Sequence, residues 1–211
     1  MSFIREFYID LLDKTLSFHQ KIEGDVSCVV WDASIVLAKY MEERCKKNIN
    51  FLKNKRVLEL GAGLGCVGLT AACLGACVVL TDLHNALPLL ELNIKCNRDV
   101  LDELNTSIEA KTLQWGQDCD IKFTPDIILL ADCIYYEGSI KPLIKTLLDL
   151  SGKNTTIILA QELRDSDKQR AHWKYFLENI QTHYKLYFVP QSEQNPQYSS
   201  PDIVLIEMRK L

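Results

Sequence analysis

The sequence has no excess of basic residues. Twenty-eight acidic side chains stand against 24 Lys and Arg, a formal net charge of −4 at pH 7. That balance argues against a broad nucleic-acid-binding face, which shows as a basic surplus, and leaves room only for a local basic patch. No apolar run is long enough to cross a bilayer, and residues 1–8 lack the apolar core of a secretory leader. A soluble, cytoplasmic protein without a membrane partner is therefore expected. The spacing C-x-x-C is missing although there are eight cysteines, and these fall mostly in apolar runs. Reduced, packed thiols fit that pattern better than a disulfide frame or a zinc centre. Cys73 and Cys77 are four apart, but Gly75 between them breaks a helix, so no metal site is expected. Repeats, low-complexity tracts and a dividing linker are absent too. The 211 residues, 47% of them hydrophobic, are expected to form one domain around one sizeable core, with residues 1–30 as an N-terminal extension.

What is present is a dense local signal at residues 56–65, Arg-Val-Leu-Glu-Leu-Gly-Ala-Gly-Leu-Gly. It reads as a buried strand running into a glycine turn, with a helix of Leu, Val and Ala over residues 66–75. Gly61, Gly63 and Gly65 permit positive φ and remove the Cβ atoms that would hold a ligand away from the backbone. This is the strand–loop–helix nucleotide signature of a doubly wound sheet. Two details turn it away from a nicotinamide dinucleotide. A G-x-G-x-x-G fingerprint begun at Gly61 needs glycine at position 66, where the chain has Cys66. Glu59, at the end of the strand, is expected to face the ligand, where a carboxylate repels a pyrophosphate and attracts an ammonium group. S-adenosylmethionine carries that ammonium and a sulfonium besides. Asp82 then ends the next apolar strand, Cys77–Asp82, where an acid accepts hydrogen bonds from ribose hydroxyls. S-adenosylmethionine is the expected cofactor.

Along the rest of the chain, residues 3–12 fit a short helix and residues 14–22 alternate like a strand. Gly24-Asp25 signals a turn, so a hairpin leading into residues 26–30 is expected. Asp32 is placed to cap a helix over residues 33–41. Trp31, just before it, is either a core side chain or a wall of the site. Residues 86–97 read as a helix with Asn85 or a near neighbour as its cap, and residues 107–113 as a strand followed directly by Gln114-Trp115-Gly116. A tryptophan at the carboxyl end of a parallel strand lies on the ligand side, where its indole can stack on adenine. Residues 125–131 form an apolar strand ending in Asp132-Cys133-Ile134-Tyr135-Tyr136. Helix 139–150, strand 155–160, helix 165–180 and the strands 184–189 and 203–208 complete the pattern. Five βα units and a closing strand pair give an α/β, Rossmann-like seven-stranded methyltransferase sheet. It is mostly parallel with an antiparallel last strand, and helices cover both faces.

With these pieces in place the chain resembles the class I (seven-β-strand) methyltransferases of the family 16 protein-lysine group. The resemblance rests on Val30-Trp31-Asp32-Ala33, Val57-Leu58-Glu59-Leu60-Gly61-Ala62-Gly63, Thr81-Asp82-Leu83, Leu113-Gln114-Trp115-Gly116 and Ala131-Asp132-Cys133-Ile134-Tyr135-Tyr136. The glycine loop is common to many methyltransferases; the Trp-Asp entry together with D-x-x-Y is far more specific. The resemblance implies that Trp31, Glu59, Gly61, Ala62 and Gly63 line the methionine end of the cofactor. It implies that Asp82 holds the ribose, that Leu83 and Trp115 surround adenine, and that Ala131 and Tyr136 close the pocket beneath the sulfonium. Asp132 and Tyr135 are the implied catalytic pair facing a lysine. A protein substrate is implied, with valosin-containing protein, an AAA ATPase, as the target, and a monomeric enzyme with no nucleic-acid partner. One departure is visible: relatives often carry an aromatic residue before the Glu-x-Arg that matches Glu162 and Arg164, and this chain has Gln161. Two other readings stand beside it. One is a methyltransferase acting on a small-molecule or nucleic-acid amino group, since D-x-x-Y resembles the acid-aromatic motif of amino-group methyltransferases generally. The other is a catalytically silent interaction module, against which the intact Glu59, Asp82, Asp132 and Tyr135 argue.

Overall fold

The computed structural model describes residues 2–211. Seven strands form the central sheet: β3 (Arg56–Leu60), β4 (Cys77–Asp82), β5 (Ser107–Thr112), β6 (Ile127–Ala131), β7 (Thr156–Glu162), β8 (Tyr184–Phe188) and β9 (Ile203–Lys210). Preceding them are β1 (Ser2–Ile9) and β2 (Lys14–Lys21), which form a separate two-stranded sheet. The helices are α1 (Asp32–Lys47), α2 (Cys66–Cys73), α3 (Leu87–Cys96), α4 (Arg98–Glu103), α5 (Glu137–Leu150) and α6 (Asp167–Ile180).

The large sheet runs in the order β5-β4-β3-β6-β7-β9-β8. The pairs β5–β4, β4–β3, β3–β6 and β6–β7 are parallel, while β9 is antiparallel to both neighbours. Because side chains alternate across a strand, the sheet sorts its apolar residues into two cores. Val57, Val78, Leu80, Ile127, Leu129 and Ile158 face a core shared with α1, α2 and the β1–β2 hairpin. Leu58, Leu60, Val79, Ile128, Leu130 and Ile157 face another, shared with α5 and α6. The chain order reverses between β3 and β6, and in such sheets ligands bind at the carboxyl ends of the strands at that reversal. Among the described residues no helix is long and apolar enough to cross a membrane.

The N-terminal stretch departs from expectation. Residues 3–12 are not a helix: β1 pairs with β2 from Ser2↔Lys21 to Ile9↔Lys14, with the reversal at residues 10–13 rather than at Gly24-Asp25. Alternation decides this, because Phe7, Ile9, Leu16 and Phe18 all face the core from one side of the hairpin. Two asparagines one helical turn apart dock β2 on α3. Asn97 Oδ1 accepts from Ser17 N–H at 2.8 Å and Asn93 Oδ1 from His19 N–H at 2.7 Å, while their amide nitrogens donate to the Ser17 and His19 carbonyls. The strand edge thus receives partners from side chains instead of another strand. Lys39, buried on α1, donates to the Tyr8 carbonyl and to Asp10 and Glu42 at 2.6–2.8 Å.

Residues 26–28 are a 3-10 turn and not a strand, and Asp25 caps it by accepting from Val26 N–H at 2.6 Å. Asp32 is the first residue of α1 rather than its cap, and it pairs with Arg5 at 3.6 Å. The cap position of α3 falls on Ala86, next to Asn85, and a proline follows in the first turn.

Candidate active site

A cavity of about 520 Å³ opens at the carboxyl ends of β3, β4 and β6. Its floor is the turn after β3, where Gly61, Gly63 and Gly65 have φ of +67°, +53° and +82°. A side chain is strained in that region. At Gly61 a Cβ would also stand 3.0 Å from Cys133 Sγ and 3.1 Å from Trp115 Cζ2, so glycine alone lets the indole lie against the loop.

Asp82 leaves the tip of β4 and accepts Gly63 N–H and Leu83 N–H, each at 2.7 Å. The turn is thereby tied to the neighbouring strand. Burial pushes the Asp82 carboxyl up from its ordinary value, against the pull of those two amides.

One wall is a strap from Asp25 to Trp31. Val30 N–H donates to Gln20 Oε1 at 2.7 Å and the Val30 carbonyl accepts from Arg5 at 3.0 Å, so the hairpin holds the strap in place. Trp31 donates from Nε1 to the Val26 carbonyl at 2.8 Å. The opposite wall is the stretch after β6. Asp132 there has φ of +55°, a left-handed conformation uncommon outside glycine. Its Oδ1 accepts from Gln161 Nε2 at 2.7 Å, and its Oδ2 receives Arg164 Nη2. Gln161 Oε1 in turn accepts Ile134 N–H at 2.9 Å, which fixes the loop from below. Arg164 also reaches Glu162 at 2.8 Å, and its guanidinium lies 5.1 Å from the Trp31 ring centre. Tyr135 and Tyr136 are tilted against each other with ring centres 4.6 Å apart. Burial pushes the Tyr135 hydroxyl up to about 12 and the Cys133 thiol well above its usual value, so both are protonated at neutral pH.

Trp31, Gly61, Ala62, Gly63, Asp82 and Leu83 all line this cavity, as do Trp115, Ala131, Asp132, Tyr135 and Tyr136. Glu59 is the exception. It is 2% exposed, lies outside the cavity wall, and accepts Gly68 N–H of α2 at 2.8 Å. Burial pushes its carboxyl up to about 8, and its place beneath the turn, bonded to α2, is not the cavity-facing position expected for an ammonium-attracting carboxylate. Its contact with α2 pins the helix to β3. No site role is assigned to the strap Asp25–Val30 from sequence, and Gln161 and Arg164 are marked there without their bonds to Asp132. Gln20 and Arg5 could not be linked to the strap without the hairpin register. The Glu-x-Arg spacing was the one signal pointing to Arg164, and it does not reveal that the arginine turns inward to Asp132.

The profile of a family described as lysine methyltransferase matches residues 11–183. The chain belongs to the lysine methyltransferase family. Protein N-lysine methyltransferase METTL21A of Xenopus tropicalis is 39% identical over 163 residues, covering 76% of this chain and 70% of that one. The Mus musculus METTL21A is 36% identical over 171 residues, covering 80% and 74%. EEF1A lysine methyltransferase 3 of Xenopus tropicalis is 38% identical over 141 residues, covering 66% of this chain and 59% of its own. Among solved structures, the T. thermophilus 16S rRNA N2 G1207 methyltransferase RsmC superposes with a TM-score of 0.62 at 16% identity, over 100% of this chain and 51% of that one. At that identity the likeness shows the fold alone.

As a member of the lysine methyltransferase family the chain is a protein-lysine N-methyltransferase, and its cofactor is S-adenosylmethionine. The cavity fits that group. Its floor is free of Cβ atoms, an acid stands at the tip of β4 where a ribose is held, and an indole borders the far end.

Proposed function

We propose that the cavity holds S-adenosylmethionine along the glycine turn and presents its reactive end to a protein lysine beside Asp132 and Tyr135. In this reading Asp82 binds the ribose hydroxyls, Leu83 and Trp115 flank adenine, and Trp31, Gly61, Ala62 and Gly63 surround the methionine end. Glu59 supports the turn from beneath. Ala131 and Tyr136 close the pocket near the sulfonium. The observation that carries the reading is Asp132: a left-handed residue at the cavity wall, its two oxygens held by Gln161 and Arg164. Strained residues of this kind cluster at functional sites, where the surroundings fix them in place.

The bound cofactor supplies a methyl group on a sulfonium: the amine lone pair forms the N–C bond as the C–S pair of electrons stays with sulfur. The chain's own residues supply alignment, which in well-oriented reactions is worth about 7–11 kcal/mol. Asp132 accepts a hydrogen bond from the amine, and the Tyr135 ring packs on the aliphatic stem. Neither Tyr135 nor Cys133 serves as a base, since both hold their protons at neutral pH. Water takes the lysine proton.

For the target we propose valosin-containing protein, on the resemblance of the Trp-Asp entry and the D-x-x-Y run. We take the enzyme to be a cytoplasmic monomer, residues 1–211 acting as one unit with residues 1–30 as its extension. Incubation with tritiated S-adenosylmethionine and either purified valosin-containing protein or whole-cell lysate tests this. Label in a lysine of valosin-containing protein is the expected result. Label confined to small-molecule or nucleic-acid fractions would overturn the lysine reading, and label only in another protein would overturn the target.

A further inference from the structure

The substrate end of the cavity carries a charge arrangement that an alignment role for Asp132 does not require. The Asp132 side chain is 4% exposed, and an arginine already sits on one of its oxygens. The same Arg164 nitrogen reaches Glu162, so one guanidinium bridges two carboxylates. Among the described residues Arg164 is the only cationic side chain in the cavity wall. It is one-third exposed, and its guanidinium lies 5.1 Å from the Trp31 ring centre.

A lysine ammonium has no lone pair and cannot attack a methyl carbon. A bare carboxylate beside it stabilises the ammonium form and makes its proton harder to lose. A carboxylate already paired with a guanidinium keeps oxygen lone pairs to accept an N–H, but its charge is offset. Arginine suits this because it stays charged throughout the working pH range. Burial works against the charge of Arg164, yet the bonds and charge of Asp132 and Glu162 push its proton affinity above the ordinary value.

Resting on the reading of Asp132 as the lysine-facing acid, we propose that Arg164 is a positioning residue that offsets the charge of Asp132, leaving the Asp132–Arg164–Glu162 cluster with one net negative charge in place of two, so that the substrate lysine more readily reaches the methyl donor as a neutral amine. The lysine proton passes to water, the freed lone pair makes the N–C bond, and the electrons of the C–S bond leave with sulfur. Arg164 exchanges no proton at any stage. Other titratable groups around this point leave the role to Arg164. On the β6 side, Cys133 and Tyr135 are protonated, and Tyr136 carries only a phenol. From β3, Glu59 lies outside the cavity wall, bonded to Gly68 N–H, and burial pushes its carboxyl up to about 8. From β4, Asp82 is held by two backbone amides. Asp25 on the strap caps its own turn, Asp32 on α1 pairs with Arg5, and Glu162 on β7 shares Arg164.

The test uses the protein that the parent enzyme labels in lysate, purified and supplied at saturating concentration with S-adenosylmethionine. Turnover is followed from about pH 6.5 to about pH 10 for the parent, Arg164→Lys and Arg164→Met. Arg164→Met is expected to turn over about tenfold more slowly at neutral pH, with its rising limb displaced by about one unit to higher pH. Its rate is expected to rejoin the parent's at the alkaline end. Arg164→Lys keeps the positive charge and is expected to keep the parent's midpoint. S-adenosylhomocysteine should bind all three alike by calorimetry. A loss of rate in Arg164→Met that is uniform across pH would overturn the proposal in favour of a structural role, and so would an unchanged rate at neutral pH. A parent that labels no lysine would overturn the reading beneath the proposal, and the proposal with it.

Discussion

At the end of the cavity proposed to hold the cofactor, the floor is backbone: Gly61, Gly63 and Gly65 at positive φ, with two amides gathered by Asp82. At the proposed substrate end the walls are side chains, with Asp132 after β6 and Gln161 and Arg164 on and after β7, and Trp31 before α1 borders both ends. The glycine turn and its tie to Asp82 come from residues 61–82, with single side chains such as Trp115 added from elsewhere, whereas the second arrangement is made of contacts between residues about 30 to 130 positions apart. A cofactor that never changes suits a backbone cradle, which few substitutions can alter. A macromolecular substrate suits a constellation of side chains that can be re-tuned one residue at a time.

If the two ends are separate devices, changes at one should spare the other. The largest effect is expected from Asp132→Ala, with turnover falling about 100-fold or more, because the amine loses its acceptor and Arg164 its partner. Asp132→Asn should recover little. Gln161 and Arg164 both donate to this residue, and an amide has only one oxygen to offer them. Single-turnover methylation checks both variants. Next comes Asp82→Ala, which removes the proposed ribose acceptor and unties the glycine turn. A charge-assisted hydrogen bond is worth about 1.5–3 kcal/mol, and S-adenosylhomocysteine affinity should fall by a corresponding about 10- to 100-fold in a calorimetric titration.

Gln161→Leu is a smaller change with a sharper message. It strands the buried Ile134 N–H and one Asp132 oxygen, costing about 1–3 kcal/mol of stability measured by denaturant unfolding. Turnover should drop with it, while cofactor affinity holds. The smallest effect on turnover is expected at Glu59, which lies outside the cavity wall and whose signature is the pH dependence of stability. Its carboxyl rises from 4.5 to about 8 on folding, so its contribution to stability is complete below about pH 4.5 and is lost as pH climbs towards 8. The melting temperature of the cofactor-free protein should therefore decline across that window. Glu59→Gln keeps an acceptor for Gly68 N–H and should flatten the decline.

The same contrast explains what the sequence made legible. The strand ends, the glycine turn, Asp82 and the D-x-x-Y run are local patterns, and β4 spans the expected Cys77–Asp82. The antiparallel β9 was readable from the short return between the last two strands. Residues 3–12 were misassigned because a strand with one buried face has few apolar positions, and only the register with β2 shows which they are. Glu59 was misplaced because its position in the motif is known but its neighbour Gly68 lies one turn into α2. Arg164 was out of reach for a similar reason: nothing near it in sequence says that its partner is Asp132.

The separation of the two ends is tested most directly by titrating S-adenosylhomocysteine into Asp132→Ala. The account predicts an affinity within about twofold of the parent's, in a protein that has lost turnover. A loss of tenfold or more would contradict it, because Asp132 would then belong to the scaffold that holds the cofactor and not to a separately built substrate end.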